Sequence, residues 1–294
     1  MSQVIRAREG PKLLQSFLSI LLITFTQLFS LLCVLFVFGF LLGLLERKSA
    51  GYFVRGFGSR GYLLTSYIGT PIHELGHVVM CWLFRHRVRK VQWFPKRGNG
   101  TVLGYVEHSY SRSSLYQRIG NFFIGIGPMI SGILALIGLM YIFVPDSYEG
   151  FMDHLDTGIQ PGAVSIEMLG GVLQSTFVLF KGLFSMQNLL APSFWLFLFL
   201  ALSISSHMAL SMPDIKGAAS GVVTIFAGLF TVNLIGYVLK IDMNQYVAVL
   251  AGYSAYLVAF ASLAVLFSLI HFGICFLLFL VKNKGLFQGN HLKL

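Results

Sequence analysis

Two histidines and a glutamate stand in the middle of a strongly apolar segment of this sequence. In GTPIHELGHVVMCWLFRHR, His73 and His77 are four residues apart, and Glu74 follows the first histidine directly. On a helix this spacing places both imidazoles on one face, one turn apart. Such a pair can ligate one zinc ion, and the adjacent glutamate can act as general base toward a metal-bound water. The motif therefore predicts a hydrolytic zinc site.

The same residues also have a purely structural explanation, as a buried polar cluster that ties helices together. Ionisable groups inside apolar helices are costly and are usually retained for function. We therefore favour the metal site. Gly76, between the two histidines, would let a second backbone approach this helix closely.

A catalytic zinc site needs a third protein ligand and an open position for water. The stretch SISSHMALSMPDIKGAASG offers Asp214, between two apolar runs, and His207, seven residues before it. On one continuous helix this spacing would place both on the same face. His207 could instead donate to the oxyanion of the transition state. A helix cap at Asp214 and a hydrogen-bonded core histidine at His207 are the plain alternatives, and the residues alone leave these open.

The composition predicts a membrane protein. Of 294 residues, 56% are hydrophobic and 11% are charged, and the mean hydropathy is +0.77. A spanning helix needs about 20 apolar residues. Six runs meet this length: 13–45, 62–84, 121–144, 189–212, 218–239 and 246–281. The segment 168–188 is more polar, and we interpret it as re-entrant or interfacial, with a true span as the alternative.

The distribution of charge predicts the orientation of the spans. Eight Lys or Arg residues lie within 85–118, which indicates a cytoplasmic segment, whereas 145–167 carries five acids and no Lys or Arg. Both termini are basic and are expected inside, although the four basic residues of 46–61 disagree with this topology. Loops facing anionic lipid account for the net charge of +10, so no nucleic-acid partner is expected.

Three motifs resemble the site-2 protease family of intramembrane zinc metalloproteases. They are HELGH on an apolar helix, GNFFIGIGPMISGILAL with its Gly127-Pro128 pair, and MPDIKG with Asp214 before a glycine. Between the first two, VRKVQWFPKRGNGTVLGYVEH predicts a β-hairpin with strands 88–94 and 101–107 and a turn at 95–100. The family commonly places a hairpin there. The resemblance covers 62–221, a little over half of the chain.

The chain departs from the family pattern around the late motif. Ile215 and Lys216 separate Asp214 from Gly217, where the family usually has glycine directly after the aspartate. Ser206-His207 stands near the position of the family's asparagine. The chain therefore resembles a divergent, minimal member of the family.

The resemblance implies an intramembrane zinc metalloprotease acting on membrane-spanning or hydrophobic peptide substrates. One zinc ion per chain would be held by His73, His77 and Asp214, with Glu74 as general base and His207 as a possible oxyanion donor. We expect an α-helical polytopic membrane protein with about six transmembrane helices and a small β-hairpin after the HExxH helix. It would form a single membrane-embedded domain over 1–294, with an anchor helix at 13–45, a catalytic core at 62–221 and C-terminal helices at 222–294. The expected location is a bacterial cell membrane, with both termini cytoplasmic.

Two other classes of function remain open at this point. The chain could be a catalytically silent membrane scaffold or binding protein, but binding alone does not require the general base Glu74. It could also be a metal or proton transporter that uses its histidines. Transport needs ionisable groups at successive depths, and beyond the motif the apolar runs offer little more than His271, with Lys181 in the doubtful segment.

Overall fold

The computed structural model describes residues 2–95, 103–158, 166–241 and 244–289. The long apolar runs form helices and the hairpin segment forms two strands. In chain order the elements are α1 Ser2–Leu83, β1 Arg87–Gln92, β2 Tyr105–Ser109, α2 Leu115–Phe143, α3 Pro145–Gly158, α4 Ile166–Leu183, α5 Met186–Leu190, α6 Pro192–Ser205, α7 Met212–Leu239 and α8 Asn244–Gly289.

Four segments of these helices are long and apolar enough to cross a membrane. They are Leu14–Gly56, Leu115–Phe143, Met212–Leu239 and Tyr256–Asn283. Large apolar side chains also cover the outside of the molecule, for example Phe40 at 66% exposure and Val281 at 70%. The predicted helical fold with apolar helices of membrane-spanning length and a small antiparallel sheet is therefore confirmed, whereas the predicted number of six spans is not.

The motif segment follows the first long helical segment across a kink, with no loop between the two. Gly58 interrupts the helical backbone with φ 74° and ψ 176°, which divides α1 into 2–57 and 59–83. Positive φ is readily adopted by glycine because it has no Cβ. The kink lets the second part of α1 turn away from the first and carry the motif.

The run 189–212 is not one helix, so the prediction of a single spanning helix there was wrong. Helix α6 has 14 residues and ends at Ser205, and α7 begins at Met212. The hydroxyls of Ser203, Ser205 and Ser206 donate to carbonyls three or four residues back. Such bonds compete with the helical ladder, and Pro213 favours a fresh start at the first turn of α7.

Helix α2 packs closely against both helices that carry the predicted ligands, α1 and α7. A Cβ added at Gly127 would lie 2.7 Å from the carbonyl oxygen of Gly76 in α1, so the two backbones touch there. A Cβ added at Gly125 would lie 2.6 Å from the carbonyl oxygen of Asp214 in α7. The expectation that Gly76 allows close approach is confirmed, and α2 fixes α1 and α7 relative to each other.

The predicted hairpin is confirmed as an antiparallel pair of strands. Val88 pairs with His108 and Val91 with Val106, with an irregularity between Val88 and Lys90. The strands begin and end within a few residues of the predicted bounds. Most of the predicted turn at 95–100 lies outside the described residues. The acidic segment 145–167 contains helix α3, and α4 forms most of the segment 168–188 and packs against α3 and α8.

Candidate metal centre

The two motif histidines and Asp214 converge at one point between α1 and α7. The Nε2 atom of His77 lies 3.2 Å from Oδ1 of Asp214, and Nε2 of His73 lies 3.8 Å from Oδ2. One nitrogen or oxygen atom from each residue lies within 4.8 Å of the other two. Within the described part of the chain, no other set of three or more His, Cys, Asp or Glu residues lies close enough together to share a metal ion.

Both imidazoles are oriented by backbone carbonyls. Nδ1 of His73 lies 2.8 Å from the carbonyl oxygen of His207, and Nδ1 of His77 lies 2.8 Å from that of Ile124. Because a carbonyl only accepts, each Nδ1 must carry the proton. Each Nε2 atom then presents a lone pair toward the Asp214 carboxylate, an arrangement of acceptors that a cation between them would stabilise. Metal-bound histidines are commonly oriented in this way by an acceptor at the other ring nitrogen.

Asp214 is fixed by the first turn of the helix that carries it. Its Oδ2 accepts from the Ser211 backbone N–H at 2.7 Å and from the Ser211 hydroxyl at 2.6 Å. The Ser211 hydroxyl in turn accepts from the Asp214 N–H at 3.4 Å. This reciprocal capping box begins α7. Asp214 is thus the N3 residue of a capping box whose N-cap is Ser211, and its Oδ1 still faces His77.

Glu74 lies beside the group and is buried, with 4% of its surface exposed. Its Oε2 atom has no hydrogen-bond partner among the described residues. The chain leading into β2 crosses directly over it, because a Cβ added at Gly104 would lie 2.6 Å from Oε1 of Glu74. A buried carboxylate oxygen without a donor is costly. Its position suits a group whose donor is a water or substrate molecule.

A cavity of about 780 Å³ opens onto these four residues. Residues 103–106, at the start of β2 and just before it, line this cavity, and so does the non-helical segment 209–211. Glu46 and Arg47 of α1 line it as well. The sequence analysis did not consider these two residues for the site, because they stand in the basic segment 46–61, between two of the predicted spans.

The imidazole of His207 does not join the ligand group. It is 4% exposed, its Nε2 lies 2.9 Å from the Ser66 hydroxyl, and its Nδ1 lies 3.0 Å from the Ser206 hydroxyl. The expectation that His207 and Asp214 share one face of one helix was wrong, because α6 and α7 are separate. His207 instead supplies the carbonyl that orients His73. Because every residue has a backbone carbonyl, the side-chain types do not predict which carbonyl orients His73.

A second pair of histidines was missed by the sequence analysis. Nδ1 of His86, just after α1, lies 3.0 Å from Nδ1 of His108 in β2, and His108 lines the cavity. Burial lowers the pKa of His86. Burial, followed by the neighbouring imidazoles of His86 and His77, lowers the pKa of His108 to about 4. The available signal was that His108 directly follows the predicted strand 101–107, in the hairpin that comes after the motif.

Comparison with protein-family models, with curated proteins and with solved structures gives no match to this chain. The geometry of the site therefore carries the functional argument.

Proposed function

We propose that this chain is an intramembrane zinc metalloprotease that cleaves membrane-spanning or hydrophobic peptide substrates. One observation carries the proposal: Nε2 of His73, Nε2 of His77 and the Asp214 carboxylate converge beside Glu74 on one cavity. Two imidazoles and one carboxylate are a donor set that catalytic zinc sites use, and three protein ligands leave one position open.

The residues present fit a zinc ion in chemistry and in orientation. Both histidines have their Nδ1 protons engaged by carbonyls, and Asp214 is held by Ser211. When bound, zinc would polarise the peptide carbonyl and lower the pKa of a water molecule. His73, His77 and Asp214 would hold the ion.

Glu74 is the proposed general base. It would take a proton from the attacking water and return it to the amine nitrogen as the C–N bond breaks. Its unpartnered Oε2 atom can accept such a proton without first breaking a bond within the described residues. The proposal gives His207 a positioning role, through the carbonyl that orients His73, in place of the oxyanion role that the sequence analysis considered.

We further infer that the site lies within the membrane, in a six-span topology with both termini on the cytoplasmic side of a bacterial cell membrane. Residues 59–83 present large exposed apolar side chains, including Leu64 at 60% and Trp82 at 79%. The exposed basic residues Arg87, Arg89 and Lys90 then mark the cytoplasmic end. Helix α6 and the segment 206–211 would form a broken span. Non-helical backbone is tolerated at membrane depth where it lines a cavity, and 209–211 does so.

An extended substrate segment suits the side of the cavity formed by β2. The sheet has two strands in the order β1–β2, so β2 has an edge without a strand partner among the described residues. Residues of this strand and of the chain leading into it line the cavity. A substrate added as a further strand would have its peptide bonds exposed for cleavage, which a helix would hide.

The test uses protein purified in detergent after zinc-replete expression, with fluorescently labelled single-span peptides as substrates. Wild type should cleave such peptides, and Glu74→Gln should retain about one zinc per chain and lose at least about 100-fold in kcat. Glu149→Gln, which changes an exposed acid on α3, is the control and should cleave like wild type. Equal cleavage by Glu74→Gln would overturn the role of Glu74. A zinc-loaded wild type that cleaves nothing would favour a silent binding protein or a transporter.

A further inference from the structure

We propose that His108, oriented by His86, is a substrate-binding residue of this cavity, whose Nε2 atom accepts a hydrogen bond from a peptide N–H of the substrate. The inference rests on the proposed function, because it concerns substrate binding in the same cavity. His108 lies in β2 and lines the cavity together with Glu74 and the three ligand residues.

The hydrogen bonds of His86 determine which ring nitrogen of His108 carries the proton. Nε2 of His86 lies 2.8 Å from the carbonyl oxygen of Gln117, so it must donate its proton. In a neutral ring, Nδ1 of His86 is then an acceptor. The Nδ1 atom of His108, 3.0 Å away, must be the donor to it. The Nε2 atom of neutral His108 is therefore left with a lone pair and no proton.

The surroundings hold this pair in place. His86 is buried and stacks on Tyr110, with ring centroids 5.0 Å apart and planes at 18°. The Gln117 side chain donates to the Arg85 carbonyl at 2.8 Å and accepts from the Ser111 N–H at 2.6 Å. Both imidazoles have lowered pKa values and are neutral near pH 7. The tautomer thus rests on a rigid set of contacts around the base of the hairpin.

The Nε2 atom of His108 has no hydrogen-bond partner within the described ranges 2–95, 103–158, 166–241 and 244–289. His108 lines the cavity, and its Nε2 is an acceptor close to the edge of β2, which has no strand partner among the described residues. An extended peptide in that position offers backbone N–H groups, which need acceptors once they leave water. The chemical class recognised is therefore an extended polypeptide backbone, independent of its side chains.

A plainer role for the pair is to tie the end of α1 to the hairpin. That role needs only the bond between the two Nδ1 atoms and makes no use of Nε2. Two substitutions separate the two roles. Asparagine at 108 retains an N–H donor near the Nδ1 position and removes the acceptor. Glutamine places an amide near the Nε2 position, which retains an acceptor toward the cavity and gives up the bond to His86.

The experiment measures binding of a fluorescently labelled, single-span hydrophobic peptide to zinc-loaded protein in detergent. The background is Glu74→Gln, so that binding is read without cleavage. His108→Asn should weaken binding about 5- to 10-fold, the effect of one hydrogen bond, and His108→Gln should stay within about twofold. The exposed His154 of α3 provides the control, and His154→Asn should bind like the parent. Zinc content and thermal stability are recorded for each protein.

Loss confined to His108→Gln would show that the tie to His86 is what matters and would overturn the proposal. Equal affinities in all variants, or an equal loss in both, would overturn it as well. A second readout needs neither substrate nor activity. The imidazole ¹⁵N chemical shifts of His108, assigned by comparing wild type with His108→Gln, should show the Nδ1–H tautomer. The Nε2–H tautomer would contradict the inference. A wild type that binds the peptide and cleaves nothing would overturn the proposed protease activity, and the binding data of the two His108 variants would still decide the role of His108.

Discussion

The Nε2 atom of His77 lies 3.2 Å from Oδ1 of Asp214, although the two residues belong to helices far apart in the chain. Helix α2 sets this distance. Its Ile124 carbonyl accepts from Nδ1 of His77, and its Gly125 lies against the backbone of Asp214. One helix therefore orients a ligand from α1 and at the same time positions a ligand from α7.

This relationship predicts which residue is the third zinc ligand. Asp214→Ala should lower the zinc content of purified protein from about one per chain to less than about one tenth, because a ligand is lost. His207→Gln should keep its zinc, because the backbone carbonyl that orients His73 remains. Elemental analysis of both variants beside wild type gives the result. Zinc lost in His207→Gln and retained in Asp214→Ala would transfer the ligand role to His207.

The sequence was sufficient for the features that depend on residue type and spacing. The motif spacing predicted that His73 and His77 share a helix face, and two short runs on either side of the turn at 95–100 predicted the hairpin. The long apolar runs predicted membrane helices. Asp214 was reached because few acids stand near apolar runs, and the structure brings it to the histidines.

Other features depend on contacts that side-chain types do not encode. The break between α6 and α7 depends on which carbonyls the hydroxyls of Ser203, Ser205 and Ser206 reach, and the residue types alone do not give those contacts. The carbonyls of Ile124 and His207 act through the backbone, which is the same for every residue. His108 enters the cavity because the strand pairing directs it there, and its sequence neighbours carry no motif.

The close contact at Gly125 can be tested by adding a single methyl group. In Gly125→Ala the new Cβ would lie 2.6 Å from the Asp214 carbonyl oxygen and 2.7 Å from Cβ of Ala218. We expect a loss of about 1–3 kcal/mol in stability from this overpacking, with weaker zinc binding because Asp214 moves. Thermal unfolding and zinc titration check both effects.

The matched control lies in the same helix. A Cβ added at Gly138 would meet no atom of another element within 4 Å, so Gly138→Ala should keep the wild-type zinc affinity and be as stable as wild type or up to about 1 kcal/mol more stable, because alanine favours the helix. Equal behaviour of the two variants would mean that α2 and α7 are not held together at Gly125.

The cap at Ser211 should matter more for the metal than for the helix. Ser211→Ala removes the hydroxyl that lies 2.6 Å from Oδ2 of Asp214, and it leaves the backbone N–H bond in place. Loss of such an outer partner typically weakens metal binding about 10- to 100-fold. Competition with a fluorescent zinc chelator measures the affinity. Ser185 caps α5 with a similar bond to Asn188, so Ser185→Ala is the control and should bind zinc like wild type. Equal zinc affinity in all three proteins would contradict a role for Ser211 at the site.

Stability should fall as the pH drops below about 6.5, because His86 and His108 resist protonation when folded. Burial lowers the pKa of His86, and burial with the nearby imidazoles of His86 and His77 lowers that of His108 from 6.5 to about 4. Below pH 6.5, these two histidines bind protons in the unfolded chain more readily than in the folded chain; for His108 this difference extends down to about pH 4. The free energy of unfolding then falls with pH, by up to about 1.4 kcal/mol per pH unit for each histidine. Thermal unfolding in detergent at pH 7, 6 and 5 should show a steeper fall for wild type than for His108→Gln, and parallel profiles would contradict this assignment.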